Sequence, residues 1–119
     1  MADVAEALRR PGRKTRWSMQ GWRAAWATQI SLRQWTGVTA VSTVLALVLN
    51  RSAGERALIL ALGLLLLAAE LFNTAVEAAV DFVSTARDPR AAMAKECASA
   101  AVALTALAGF VAWCAILWG

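Results

Sequence analysis

Glu70, Asn73 and Glu77 are the residues whose type and spacing point most directly to chemistry. They lie inside a long apolar run over residues 57–81, which ends AELFNTAVEAAVD. A charged side chain inside a membrane helix costs about 2.5–3.5 kcal/mol on insertion scales. Carboxylates are therefore kept there for a partner, a cavity or a reaction. Positions 70, 73 and 77 are i, i+3 and i+7, so one helix face carries all three. The two carboxylates then stand about 10 Å apart along the axis. Glu77 is a hard oxygen ligand suited to Mg²⁺, which is held by one or two carboxylates with phosphate oxygens. Glu70 lies deeper and could take a proton from a hydroxyl. Lys95 could balance phosphate charge. Metal ligand, buried base and cation are the parts that phosphoryl transfer needs. The other use of such a stripe is to pair helices in an oligomer.

The elements that must position these groups follow from composition and punctuation. The chain has 119 residues, of which 60% are apolar, against roughly 45–50% in soluble domains. This implies an all-α membrane bundle with a single functional domain. His and Tyr are absent, so an imidazole base or ligand is excluded. Cys97 and Cys114 on one helix would stand about 25 Å apart, beyond disulfide reach. No Walker-type phosphate loop or soluble-kinase signature occurs.

Residues 1–34 form a cationic interfacial segment. Pro11-Gly12 predicts a break, followed by a helix from Thr15 or Ser18 to Gln34. Met19, Trp22, Trp26 and Ile30 recur on one stripe, with Arg16, Gln20 and Arg23 off it. An arginine-bearing face opposite a tryptophan-rich one suits a helix lying in the membrane interface. That fits better than a nucleic-acid-binding arm, and no nucleic-acid partner is expected.

Residues 35–119 form the transmembrane part, with spans over about residues 33–50, 57–83 and 90–118. Thr36, Gly37, Ala40 and Thr43, and Ala101, Thr105 and Gly109, offer small residues for close helix contacts. The polar segment NRSAGER makes a turn between the first two spans. Asp88 is placed to cap the last helix, with Pro89 at its first position. Ten Lys and Arg lie on the side of the N-terminus, against Arg51 and Arg56 on the other. The N-terminus is therefore expected in the cytoplasm. Glu77, Asp81, Lys95 and Glu96 then gather at the cytoplasmic face.

From residue 17 to residue 118 the sequence resembles the bacterial integral-membrane diacylglycerol kinase family, which includes undecaprenol kinases. The similarity is carried by GWRAAW (21–26), LRQ (32–34), AELFNTAVEAAVD (69–81) and AKECASAAV (94–102). The tail WCAILW (113–118) resembles the Gram-negative diacylglycerol kinase branch. The resemblance implies a homotrimer in the bacterial inner membrane with composite sites between subunits. It also implies transfer of the ATP γ-phosphate to a lipid hydroxyl, with Mg²⁺ as cofactor. Glu70 matches the base, and Asn73 matches a residue that positions base or substrate. Glu77 matches a metal ligand. Trp17, Ser18, Glu77, Asp81, Lys95 and Glu96 match the nucleotide site, and Glu70 and Ser99 the lipid site. Arg9 matches a basic residue near adenine.

Two departures stand out. Gln29 occupies the position of an acid that shares the metal with Glu77, and Trp35 replaces a second acid. Gln29 still offers a neutral carbonyl oxygen, but Mg²⁺ affinity should fall. The readings that follow are a diacylglycerol kinase with an altered metal site, a relative acting on another membrane alcohol or lipid phosphate, or a low-activity assembly or regulatory protein.

Overall fold

A computed structural model describes the backbone of residues 2–83 and 87–119, and the side chains of residues 4, 13–83 and 87–119. The chain forms four helices: α1 (Ala2–Thr28), α2 (Ile30–Val48), α3 (Ala53–Val83) and α4 (Pro89–Trp118). α3 is central, packed against both α2 and α4, while α1 rests on α2 and α3.

α4 begins and ends where the sequence predicts. Asp88 is extended and accepts a hydrogen bond from the Arg90 amide at 2.8 Å, with Pro89 in the first turn. The Arg90 guanidinium also meets the Asp88 carboxylate at 3.0 Å. That side-chain bond, reinforced by the amide, holds the Asp88 carboxyl below its ordinary range. A depressed pKa stabilises the folded form above the unfolded pKa and ceases to do so as pH falls through the folded one. The Arg90 amide should therefore keep its capped NMR shift down through the ordinary carboxylate range and lose it only in stronger acid. Asp88→Ala should abolish that acid transition.

α3 starts four residues before the predicted span. Ser52 caps it: its hydroxyl accepts from the Glu55 amide at 3.2 Å and donates to Glu55 Oε1 at 3.0 Å. The turn before it is tight, and Asn50 takes the left-handed conformation, φ 51°, which a short polar side chain tolerates.

Two predicted boundaries in the N-terminal segment are corrected. α1 runs continuously through Pro11-Gly12. An internal proline forfeits one backbone hydrogen bond, and the helix-forming residues on either side carry α1 across it. The amphipathic helix stops at Thr28 rather than Gln34, because Gln29 is extended (φ −116°, ψ 106°) and α2 starts at Ile30. The Trp26 and Met19 side chains remain exposed, while Ala25 is buried.

The packed centre is small. Ala46, Ile59, Ala112 and Ile116 form it, flanked by Leu62 and Trp113. The Trp113 indole donates to Ser42 Oγ at 2.8 Å, tying α4 to α2 beside it. The expected small-residue contacts are not the close ones. A Cβ on Gly37 or Gly109 would meet nothing within 4 Å. The close approach is instead α2 to α3, where a Cβ on Gly63 would stand 2.8 Å from Thr39 Cγ2. The helices' rotation turns Gly37 and Ala40 outward. Leu64, Phe72, Leu104 and Phe110 are each about two-thirds exposed or more. Such a surface suits lipid or another chain rather than water. α3 and α4 are long and apolar enough to cross a membrane. At 31 residues, α3 is about 46 Å long, more than the roughly 30 Å hydrocarbon core. Crossing such a layer without tilt, one end of it would leave the apolar region.

Candidate active site

The three residues of the α3 stripe divide between two surroundings. Glu70 is only 2% exposed. A buried carboxylate needs donors, and Ser31 in the first turn of α2 supplies one: its hydroxyl donates to Glu70 Oε1 at 2.5 Å. The Thr74 hydroxyl donates to the Glu70 backbone carbonyl at 3.1 Å. Ser31 is a partner of this candidate site that sequence reasoning missed. Its only signal was a hydroxyl beside the LRQ motif, since a contact across 39 positions has no local periodicity.

Asn73 and Glu77 form the second group. Asn73 Nδ2 points to Glu77 Oε1 at 3.5 Å, long for a hydrogen bond. Asn73 Oδ1 is buried and meets no donor among the described residues. Such an atom is costly unless a further group completes it.

Glu77 opens onto a cavity of about 910 Å³ between α1 and α3, within the size range of ligand pockets. Trp17, Ser18 and Gln29 reach it from the α1 side, and Glu77 and Asp81 from α3. Five of the sequence-assigned positions thus share one space, although most of the rest of its wall is apolar. The face α1 turns to α3 bears small and polar residues such as Ser18, Gly21, Ala25 and Thr28, whose short side chains leave the space between the helices unfilled. Ser18 Oγ is itself engaged with the Lys14 carbonyl at 2.9 Å.

Lys95 joins the rim through Asp81, its ammonium 2.6 Å from Asp81 Oδ1. Both side chains are substantially exposed, so the pair is soft and can exchange for phosphate oxygens. Glu96 and Ser99 are exposed on α4 and do not line the cavity, nor does Glu70. The side chain of Arg9 lies outside the described residues. Trp35 is turned away, into a space of about 220 Å³ between α2, α3 and α4.

Gln29 and Glu77 therefore face one cavity. Among the described residues no three Asp, Glu, His or Cys side chains approach closely enough to hold an ion alone. The donor set at this cavity is one carboxylate, a second on Asp81 engaged with Lys95, and an amide. All are hard oxygens, which fit a magnesium ion whose remaining ligands come from phosphate and water. The site suits a metal–nucleotide complex better than a bare ion.

A family model described as prokaryotic diacylglycerol kinase matches residues 16–117. The chain is similar to the diacylglycerol kinase of Pseudomonas aeruginosa, 42% identical over 94% of this chain and 91% of that one. It is 30% identical to the diacylglycerol kinase of Escherichia coli K12 over 99% of this chain and 97% of that one. A Helicobacter pylori diacylglycerol kinase is 35% identical over 87% and 77% of the respective chains. These matches extend well beyond the α3 stripe, through the α1 face, the α1–α2 junction and the capped start of α4. With a buried base candidate, a carboxylate and amide facing one cavity, and a lysine at its rim, they place the chain in the prokaryotic diacylglycerol kinase family.

Proposed function

We propose that this protein is a membrane lipid kinase that transfers the γ-phosphoryl group of ATP to the hydroxyl of diacylglycerol, giving phosphatidic acid and ADP. The observation that carries the reading is the cavity where Trp17, Ser18, Gln29, Glu77 and Asp81 meet, in a chain of this family.

In the reaction the hydroxyl oxygen bonds to the γ-phosphorus while the bond to the β,γ-bridging oxygen breaks. Glu70 takes the hydroxyl proton, and Ser31 holds its carboxylate in orientation. Asn73 braces Glu77 and keeps a carbonyl oxygen free for a donor on substrate. Trp17 and Ser18 border the nucleotide, while Lys95, released from Asp81, meets its phosphates. Glu77 and Gln29 would hold magnesium, which supplies charge neutralisation to the phosphates when bound.

The chain is further read as three transmembrane helices, α2 to α4, with a cytoplasmic N-terminus in the inner membrane and α1 lying in the interface. α2, 19 residues long, spans about 28 Å with Arg33 and Gln34 reaching to the headgroups. The working form is read as a homotrimer. Two observations support this. Large apolar side chains cover the outside of α3 and α4, and Glu70, Glu96 and Ser99 stand apart from the single-chain cavity. A neighbouring copy would complete the site.

The test is phosphate transfer from labelled ATP to diacylglycerol and to undecaprenol in mixed micelles across a magnesium titration. Labelled phosphatidic acid is the expected product. Its absence at every magnesium level rejects the reading, and product from undecaprenol alone assigns the other branch. Gln29→Glu should lower the magnesium concentration for half-maximal rate, since a second carboxylate then faces the ion. An unchanged requirement would remove Gln29 from the metal site.

A further inference from the structure

The LRQ segment (32–34) contains an arginine to which the reaction gives no role. Leu32 is completely buried and serves packing. Arg33 is exposed, and among the described residues it meets no carboxylate. It does something else at the break between α1 and α2.

Gln29 leaves the helical conformation. The Gln29 amide still bonds to the Ala25 carbonyl at 2.8 Å. The next amide, of Ile30, begins α2 and leaves the register of α1, so the Trp26 carbonyl loses its normal i+4 donor. Arg33 replaces it. Its Nε–H donates to the Trp26 carbonyl at 2.8 Å. The same guanidinium lies over the Trp26 ring, 5.7 Å from the centroid. Trp26 in turn stacks on Trp22 with centroids 5.9 Å apart and planes at 26°. One side chain of α2 thus grips both the backbone and the ring of the last turn of α1. Its charge also suits a helix C-terminus. Lysine has neither the Nε–H geometry nor the flat cation.

We infer that Arg33 is a positioning residue: it clamps α1 to α2 and so sets where Trp17, Ser18 and Gln29 stand across the cavity from Glu77. Two anchors then define the junction. Ser31 ties the start of α2 to Glu70 on α3, and Arg33, two residues on, ties it to α1. The contacts of α1 with the rest of the chain are otherwise few. Loss of the clamp leaves the helix in place but free to swing at Gln29. The consequence falls on nucleotide binding, because the α1 side of the cavity moves relative to the α3 side, whereas Glu70 keeps its own anchor. The effect on nucleotide rests on the cavity being the nucleotide site; the clamp itself does not.

The test compares Arg33→Gln and Arg33→Lys with Arg23→Gln, which removes the same charge from the same surface without touching the Trp26 carbonyl. Arg33→Gln should raise KM for ATP about tenfold, the scale of a charge-assisted hydrogen bond, with kcat within about twofold. Arg33→Lys should fall between, and Arg23→Gln should match the unaltered protein. An activity-free readout uses spin labels on Gln20→Cys and Ala79→Cys in a Cys97→Ala, Cys114→Ala background, diluted with unlabelled chains. The α1–α3 distance distribution should broaden in Arg33→Gln and stay narrow in Arg23→Gln. An equally narrow distribution in Arg33→Gln overturns the clamp, as does a fall in kcat with KM unchanged. If the unaltered protein phosphorylates no lipid, the proposed function fails while the distance measurement still decides the clamp.

Discussion

Glu70→Gln is expected to cut turnover by about 10²–10⁴-fold, the usual contribution of a general base, and to leave the assembly intact. The variant keeps the side chain's size and its acceptor toward Ser31, because the amide oxygen can occupy the place of Oε1. The burial of position 70, 2% exposed, means that an uncharged isostere does not destabilise the helix contact. The chemistry, and not the packing, carries the loss. Activity is read as labelled phosphatidic acid, and assembly by size in detergent. Near-normal turnover would reject Glu70 as the base. A lost assembly would mean that the carboxylate serves helix pairing, the other use that its place in an apolar helix allows. Ser31→Ala separates orientation from proton transfer: it should lower kcat less than Glu70→Gln while leaving KM for ATP unchanged, since Ser31 touches only one carboxylate oxygen.

Glu77→Gln is expected to have the second largest effect, a fall of roughly 10²–10³-fold at moderate magnesium, the cost of losing one group that stabilises developing charge. In a site built with a glutamate on each side, loss of one carboxylate leaves the other. Here Gln29 already stands opposite, so Glu77→Gln leaves only the Lys95-paired Asp81 as an acid of the cavity. The defect should therefore yield partly to high magnesium, whereas that of Glu70→Gln should not. The double variant Gln29→Glu, Glu77→Gln moves the carboxylate across the cavity and should recover part of the loss. If Glu77→Gln shifts neither the rate nor the magnesium midpoint, the metal is held elsewhere.

These two outcomes differ because α3 presents its polar residues to two surroundings. Glu70 meets Ser31 of α2, Asn73 turns toward Glu77, and Glu77 alone of the three lines the α1 cavity. Seven residues bring Glu77 to within about 20° of Glu70 around the helix, so the two differ by about 10 Å of height along α3 and by the elements packed at each level. On the proposed function, the base beside α2 and the metal ligand facing the cavity are thereby held apart on one helix.

Much of this was legible in the residues alone. The Asp88 cap, Pro89 and the end of α4 could be read because capping chemistry lies within two or three positions along the chain. The start of α3 was equally local, but Ser52 and Glu55 were read as loop residues because NRSAGER contains a glycine. The Glu70–Asn73–Glu77 pattern is also a local property of a helix. The long apolar run told where a charge would be costly, and so where its presence needed a reason.

What the tertiary structure decided was direction and partnership. Nothing in glutamine disfavours a helix strongly, so the break at Gln29 has no local signature. It is held by Ser31 on Glu70 and Arg33 on Trp26, contacts that exist only once α2 packs on α3 and α1 folds back. The small-residue ridges were visible as composition, but the rotation of each helix chose Gly63 and left Gly37 and Gly109 in open space. By itself the sequence determined which groups could do phosphoryl transfer and that they lie on membrane helices, because residue type and helical period are properties of short segments. Which of them meet in one cavity, which is buried with a serine and which stays at the rim was decided by packing, because those choices depend on residues far apart in the chain and on the angle at one extended glutamine.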